Sequence, residues 1–243
     1  MHAAMTRTEH RAWPYPEAAW SWRQSWNDLL FIHYRVDTRA IAHLVPKPLA
    51  IEEFDGSSWI GVVPFDMNGV MRRPFPNVPW FSNFLELNVR LYVVHQGRPG
   101  VWFLSLDATN PLVVWGGNQF FNLPYRHARI HKTMSEGWTR FHSVRKDTTR
   151  AELDVRHRPT GEVFYAKPGT LEHFLTERYC FYASSPHLLM RAEVHHWPWP
   201  LQPAEAEITK NTLLEGIEYD RGTPPLFHYS KGVDVVSWNP KAT

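Results

Sequence analysis

The chain has 243 residues, a formal net charge of +2 and a single cysteine, Cys180. This length suits one large β-rich domain, and the sequence lacks the runs of like charge that are typical of nucleic-acid-binding proteins. One cysteine excludes a disulfide framework, which fits a reducing compartment, and no apolar run approaches the roughly 18 residues of a membrane span. We therefore expect a cytoplasmic protein that binds neither nucleic acid nor membrane.

The first residues carry few structural signals until a cluster of tryptophans. We predict a loose leader over residues 1–10 and a single domain over residues 11–243. The stretch Arg11–Trp26 holds four of the 12 Trp residues, and we predict a short helix around Pro16–Gln24. The four Trp side chains pack against the outside of the domain, clamp a ligand, or form an exposed apolar patch for a partner.

The next elements alternate between strands and turns. Leu29–Tyr34 (LLFIHY) reads as a strand, and Asp37 is placed to cap a short helix that ends before Pro46. Asp55-Gly56 is a hairpin turn signal. The Pro-containing stretch 68–80 is a long loop, and we expect either a lid or a plain connector.

Phe84–Val94 (FLELNVRLYVV) shows the clearest strand alternation in the chain. Leu residues and Val residues occupy one face, whereas Glu86, Asn88 and Arg90 occupy the other. In a β-barrel these three would line the interior, where Arg90 could bind a carboxylate and Glu86 could act as a general base. The alternative is a solvent-exposed face on which Glu86 pairs with Arg90.

An apolar run followed by a basic segment comes next. Leu112–Trp115 is broken by Gly116-Gly117, and a helix or wide turn is predicted to begin at Asn118. The segment Tyr125–Arg129 contains Arg126, which could hold an anionic group. The alternative is a solvated basic loop.

The stretch 170–183 (TLEHFLTERYCFYA) fits a helix or a strand equally well. In either structure His173 and Glu177 share a face, so they could line the pocket or form a His–carboxylate pair in the core. No HExxH motif, cysteine cluster or glycine-rich phosphate loop is present. We therefore predict no metal and no cofactor.

Many short strands separated by turns predict a mainly β fold, an antiparallel barrel or sandwich with a few short helices. The chain also resembles the YqjF-like family of uncharacterised bacterial proteins (domain of unknown function 2071). Eight stretches carry this resemblance: Asn27–Asp37, Asp55–Phe65, Glu86–Arg90, Phe103–Leu112, Phe120–Arg129, Gly169–Tyr179, Glu193–Pro203 and Asp234–Trp238.

More distantly, the order of elements resembles the acetoacetate decarboxylase-like superfamily, which implies a closed, cone-like antiparallel β-barrel with a central pocket. Leu85-Glu86-Leu87 then matches that enzyme's inward-facing glutamate, and Leu123–Arg126 matches its aromatic-Pro-Lys-Lys motif. The enzyme forms a Schiff base through a lysine whose pKa is lowered. Here Tyr125 takes the place of that lysine, and because a phenol cannot form an imine, Schiff-base decarboxylation is excluded.

These observations lead to three hypotheses. The first is a pocket protein for an anionic small molecule, a carboxylate or keto acid, with cofactor-free acid–base chemistry such as enolisation, hydration or a lyase step. Glu86 and Tyr125 would be its catalytic residues; the substrate-binding residues would be Asn88, Arg90, Arg126, His173 and Glu177. The alternatives are a non-catalytic binding or sensing module and a partner-binding protein. Barrels of this size often form homo-oligomers.

Overall fold

The computed structural model describes residues 2–77, 82–185 and 188–243. Within these ranges the chain is mainly β, as predicted. The strands are β1 (Trp22–Val36), β2 (Ala50–Ile51), β3 (Ser58–Arg72), β4 (Phe84–His95), β5 (Arg98–Ala108), β6 (Tyr125–Ser135), β7 (Trp138–Arg145), β8 (Glu152–Pro159), β9 (Cys180–Ser185), β10 (Leu188–His196), β11 (Leu201–Asn211), β12 (Leu226–Ser237) and β13 (Lys241–Ala242). The α-helices are α1 (Thr38–Ile41), α2 (Pro111–Phe121) and α3 (Leu171–Thr176).

The strands form one branched sheet that closes on itself in two rings. The nine-strand ring follows the order β5-β6-β7-β8-β11-β12-β1-β3-β4 and returns to β5. The seven-strand ring follows β5-β9-β10-β12-β1-β3-β4 and also returns to β5. Within both rings, β5 pairs in parallel with β6 and with β9, and the other pairs are antiparallel. The predicted closed arrangement of strands is therefore present, with the five strands from β12 to β5 shared by two rings.

Each ring surrounds its own apolar core, and β4 contributes to both. Leu87, Val89 and Leu91 pack in the core of the nine-strand ring, among side chains from β1, β3, β6, β7 and β8. Phe84, on the alternate face, packs in the core of the seven-strand ring with side chains of β1, β3, β10 and β12. The period-2 alternation of β4 thus separates two buried environments instead of core from solvent.

The apolar run after β5 belongs to a helix, which corrects the prediction that a helix or turn starts only at Asn118. Asn110 caps α2, because its side chain accepts hydrogen bonds from the backbone N–H groups of Leu112 and Val113. Pro111 at the first helical position is already constrained to a helical φ. A left-handed residue, Asn122 (φ 50°), ends the helix. The glycine pair lies inside the helix, where Gly117 is buried.

The ambiguous stretch 170–183 contains both predicted structures. Thr170 caps α3, whose last helical residue is Thr176, and β9 begins at Cys180. The other predicted helix also forms, because the side chain of Asp37 accepts a hydrogen bond from the Arg39 N–H at 2.7 Å.

The first residues are packed against the sheet, which differs from the expected loose leader. Ala3–Thr6 form a 3-10 turn in which Ala4 is buried, and the Ala4 carbonyl oxygen lies 2.8 Å from the Nε2 atom of His195 on β10. Arg11 donates to the Val194 carbonyl at 2.5 Å. The first ten residues that the structure describes are therefore part of the domain surface.

The predicted helix around Pro16–Gln24 is absent, and β1 begins at Trp22 instead. Trp13, Trp20, Trp22 and Trp26 are all partly buried, and none is exposed. Trp13 and Trp26 pack beside core clusters. This packing removes the support for an exposed tryptophan patch as a partner interface.

The predicted loop 68–80 is shorter than expected, because β3 continues to Arg72. Residues 78–80 of this loop lie outside the described residues. Among the helices of the described ranges, none has the length and apolar character needed to cross a membrane.

Candidate functional site

The polar face of β4 points into the seven-strand ring. Glu86 is 2% exposed and Asn88 is 6% exposed, which excludes the solvent-exposed alternative. Arg90 is half-buried, and no ion pair joins it to Glu86 in the described part of the chain. The three side chains that the sequence analysis selected on this strand therefore share one interior face.

The buried Glu86 side chain is hydrogen-bonded to Tyr125, which is partly buried. The Tyr125 hydroxyl donates to the Oε2 atom of Glu86 at 3.1 Å. Burial raises the pKa of the Glu86 carboxyl to about 8, the hydrogen bond from Tyr125 opposes this rise, and the Asp107 carboxylate adds to it. The Glu86 carboxyl is therefore mostly protonated at pH 7. Burial, and then Glu86, raise the pKa of the Tyr125 phenol well above its usual value.

Helix α2 and strand β6 hold Tyr125 in place. The side chain of Asn118 accepts from the Tyr125 backbone N–H at 2.9 Å and donates to its carbonyl at 3.2 Å. Tyr125 lies opposite Leu106 in the parallel β5–β6 ladder. The ring of Tyr125 lies so close to Gly117 that a Cβ atom at this glycine would collide with it. The glycine thus permits the approach of Tyr125 to the helix.

Arg90 is a cation whose described hydrogen-bond partners are neutral. Its Nε atom donates to the Tyr92 hydroxyl at 3.3 Å, and an Nη atom donates to the Leu175 carbonyl at 3.1 Å. No carboxylate lies within 4.0 Å of it among residues 2–77, 82–185 and 188–243. Its guanidinium carbon also lies 5.5 Å from the centre of the Phe31 ring. This arrangement leaves a positive charge available to an anion.

His33 is a site residue that the sequence analysis missed. It is fully buried, and its Nε2 atom lies 2.7 Å from the Tyr92 hydroxyl. Burial, with a contribution from the charge of Arg90, lowers the pKa of His33 well below its usual value, so the ring is neutral. In the sequence, His33 stands out as a histidine in the apolar segment LLFIHY. It is two residues from Phe31, so the two side chains share the interior face.

Buried polar atoms without protein partners mark the same interior. The Oδ1 atom of Asn88 and the Nδ1 atom of His33 have no hydrogen-bond partner among the described residues. The Nε1 atom of Trp199, in the same core, is also unpaired there. Buried polar atoms in proteins are usually paired, so these atoms indicate where a polar ligand or water would bind.

The second half of the basic motif points elsewhere. Arg126 follows Tyr125 on β6, so its side chain lies on the opposite face of the strand, and it is exposed. The structure therefore does not bring Arg126 together with Glu86, as the sequence analysis expected. Lys132 is also on the other face, where its Nζ atom contacts Asp28 and Asp66 at 2.8–2.9 Å. Neither cation reaches the Glu86–Tyr125 pair.

His173 and Glu177 do not form the suggested pair within the described contacts. Glu177 accepts a hydrogen bond from the Tyr179 hydroxyl and another from the Trp199 backbone N–H, the latter at 2.9 Å. Burial raises the pKa of Glu177, and the two hydrogen bonds oppose that rise. Glu177 thus supports the segment that carries Trp199, whereas His173 is only partly buried on α3.

The donor set does not form a metal site. Among the residues that the structure describes, no group of three or more His, Cys, Asp or Glu side chains could hold a metal ion. A groove of about 780 Å³ lies elsewhere, with Arg35, Asp37, Glu53 and Asp220 in its walls. The interior site instead combines a protonated carboxyl, a phenol, a neutral imidazole and a guanidinium, a set suited to proton transfer beside a bound anion.

Sequence comparisons match most of this chain to uncharacterised proteins. The profile of the family described as DUF2071, "Uncharacterized conserved protein", matches residues 23–234. The uncharacterized protein YqjF of Bacillus subtilis (strain 168) is 39% identical over 225 residues, which cover 92% of this chain and 93% of that protein.

Two solved structures share the fold at low sequence identity. Acetoacetate decarboxylase from Legionella pneumophila has a TM-score of 0.63 at 13% identity, with 97% of this chain and 94% of that chain covered. The enduracididine biosynthesis enzyme MppR in complex with pyruvate has a TM-score of 0.62 at 14% identity, with coverages of 96% and 93%. At these identities the likeness concerns the fold alone, and it confirms the acetoacetate decarboxylase-like fold class.

Proposed function

The chain belongs to the DUF2071 family of uncharacterized conserved proteins, and from this premise we propose that it binds a keto acid inside the seven-strand ring and catalyses cofactor-free enolisation there. The observation that carries the proposal is the shared interior face of β4, on which Arg90, without a carboxylate partner in the described ranges, accompanies the Glu86–Tyr125 pair. MppR, which has this fold, is described in complex with pyruvate, and this supports a keto acid as the ligand.

Each group has a defined role in this proposal. Arg90 binds the carboxylate of the ligand through charge-assisted hydrogen bonds. The ionised form of Glu86 removes a proton from the carbon next to the ketone, and the electron pair moves to the carbonyl oxygen. Tyr125 and the Nδ1–H group of His33 then stabilise the enolate through hydrogen bonds, whereas the Oδ1 atom of Asn88 accepts from a bridging water. Glu86 returns a proton to the carbon after exchange with solvent, and the carbonyl group forms again.

The distance between Glu86 and Arg90 restricts the length of the ligand. Glu86 and Arg90 are four positions apart on the strand, so their Cα atoms are separated by about 13 Å. The side chain of Arg90 donates towards Tyr92, away from Glu86. A ligand with its carboxylate at Arg90 therefore reaches Glu86 best when its ketone lies several bonds from the carboxylate. Phe31 and Trp199 pack in this interior, which favours a slender acid over a bulky one.

The test is deuterium exchange into a series of keto acids in D₂O, followed by proton NMR. The series runs from pyruvate through acetoacetate and 4-oxopentanoate to 5-oxohexanoate, and the longer acids should exchange faster above the uncatalysed rate. Glu86→Gln should abolish exchange but retain binding. Arg90→Gln should weaken binding by about tenfold or more, the value of one charge-assisted hydrogen bond.

Arg126→Gln is the matched control, because Arg126 is exposed on the other face of β6; it should leave both readouts unchanged. Binding without exchange in the unmodified protein would favour the non-catalytic binding module. The absence of binding across the series, or an equal loss in Arg90→Gln and Arg126→Gln, would contradict the proposal.

A further inference from the structure

A second cluster of charged side chains lies outside the rings, in a cleft of about 190 Å³. Arg98 at the start of β5, Arg191 and Glu193 on β10, and Lys241 on β13 contribute to its walls. The N-terminal segment Pro14–Pro16 closes one side. Both ends of the chain and the central sheet therefore meet at this cleft.

One buried carboxylate, Glu193, lies in the wall of the cleft and contacts several of the surrounding side chains. The Oε2 atom of Glu193 accepts from an Nη atom of Arg11 at 3.0 Å and from Trp13 Nε1 at 2.8 Å. Its Oε1 atom accepts from Arg191 Nε at 3.0 Å and lies 4.0 Å from a nitrogen of Arg98. No ion pair joins Glu193 to Lys241 among the described residues.

Positive charge exceeds negative charge in this cluster. Arg11, Arg98, Arg191 and Lys241 carry four positive charges, and Glu193 supplies one negative charge. Arg11 is buried and is committed to Glu193 and to two backbone carbonyl groups. Arg191 and, at 4.0 Å, Arg98 share this same Glu193 carboxylate, and no carboxylate lies within 4.0 Å of Lys241 in the described part of the chain. One negative charge therefore serves four cations, and positive charge is left over at the cleft.

The strand register also brings two of these positive charges close together. Arg191 and Lys241 are directly opposite each other in the β10–β13 ladder. Like charges at directly opposite positions destabilise a strand pair, and that repulsion disappears when an anion binds between them. The strand pair is therefore arranged as two sides of an anion site.

Aromatic packing fixes the remaining parts of the cleft. The Trp13 ring lies between the guanidinium groups of Arg11 and Arg98, whose carbon atoms are 5.4 and 5.2 Å from its centre. Tyr15 stacks on Trp238 with 17° between the ring planes. The Arg98 guanidinium is thus held in position before a ligand arrives, which lowers the entropy lost on binding.

We propose that this cleft binds a phosphate-type dianion, either inorganic phosphate or the phosphoryl group of a small metabolite. A dianion matches the surplus charge better than a monocarboxylate does, and its oxygens can accept from Arg98, Arg191 and Lys241 together. This site is independent of the keto-acid site, because its residues belong to other faces and other strand ends.

Equilibrium dialysis of the full chain with radiolabelled orthophosphate at constant ionic strength tests the proposal. Saturation at one phosphate per chain is expected. Lys241→Gln and Arg98→Gln should each weaken binding by about tenfold, whereas Lys231→Gln, an exposed lysine on β12, should not. Competition by glycerol 3-phosphate separates the two sources: tighter binding of the ester identifies a metabolite, and tighter binding of orthophosphate identifies the free ion.

Three results would overturn the proposal. The first is the absence of saturable binding in the unmodified chain. The second is an equal loss of binding in Lys231→Gln and Lys241→Gln, which would indicate a general charge effect. The third is a loss in Arg90→Gln with full binding in Lys241→Gln, which would place the phosphate in the seven-strand ring. Thermal unfolding of each variant verifies that a loss of binding is not a loss of folding.

Discussion

At the scale of single residues, Glu86 lies in an environment unlike that of an ordinary, solvent-exposed carboxyl. It is buried, its described hydrogen bond comes from a neutral phenol, and no cation pairs with it among the described residues. Such a group holds its proton at neutral pH because burial penalises the charged form. A carboxyl kept in this condition destabilises the folded chain and is characteristic of a functional site.

This reasoning predicts the effect of Glu86→Gln on stability. The folded chain keeps the Glu86 proton up to about pH 8, whereas the unfolded chain releases it near the ordinary pKa. The folded state therefore binds the extra proton between these values, and this group lowers the free energy of unfolding as pH rises through that window. Glu86→Gln removes the effect and keeps an acceptor for Tyr125, so it should stabilise the protein at pH 7 by about 3 kcal/mol.

Urea unfolding of both proteins at several pH values measures this difference. The gain should shrink as pH falls and be absent near pH 4, where both states of the unmodified chain hold the proton. Glu215→Gln, at an exposed carboxyl, should change stability by no more than about 0.5 kcal/mol at each pH. A Glu86→Gln variant that is less stable than the unmodified chain at pH 7 would refute the assignment of a protonated, buried carboxyl.

At the scale of elements, helix α2 connects the local sequence to the site. Its two adjacent glycines have different surroundings. A Cβ atom at Gly117 would collide with the ring of Tyr125, whereas a Cβ atom at Gly116 would find its nearest neighbour, Phe120, at 3.9 Å. Gly117 leaves space for the ring of Tyr125, whose hydroxyl contacts Glu86, whereas Gly116 has no comparable steric role.

The two glycines therefore form a matched pair for mutagenesis. Gly117→Ala should displace Tyr125, reduce deuterium exchange and destabilise the protein by about 1–3 kcal/mol, as overpacking does. Gly116→Ala should keep activity and stabilise the protein by up to about 1 kcal/mol, because alanine favours the helix. Urea unfolding and the exchange assay provide the measurements. Effects of the same sign and size in both variants would show that Gly117 does not position Tyr125.

At the scale of the whole molecule, two rings share five strands, and segments near both ends of the chain contact strand β10. The N-terminal residues contact β10 through Ala4 and Arg11, and β13 pairs with β10 from the other end of the chain. These contacts make both ends part of the folded unit, and they build the anion cleft between them.

Truncation of residues 1–12 tests this integration. It removes Arg11 from Glu193 and uncovers the β10 surface, so the free energy of unfolding should fall by about 2 kcal/mol or more. Arg39→Gln, at an exposed position on α1, is the control and should stay within about 0.5 kcal/mol of the unmodified chain. A truncated chain with unchanged stability would restore the interpretation of a loose leader.

The sequence by itself determined the mainly β class, the alternation of β4 and the Asp37 cap. These features depend on neighbours along the chain, such as side-chain period and capping residues. The sequence also placed Glu86, Asn88 and Arg90 on one face, because alternation requires it.

Only the tertiary structure decided which apolar core each face of β4 enters and which side chains contact it there. Both faces of β4 are buried because the sheet branches into two rings, and no local pattern encodes that branching. The pairing of Glu86 with Tyr125, the inclusion of His33 and the exclusion of Arg126 depend on strand register across long sequence separations. Long-range register is the physical quantity that a single sequence leaves open, because each strand can satisfy its own hydrogen bonds in several pairings.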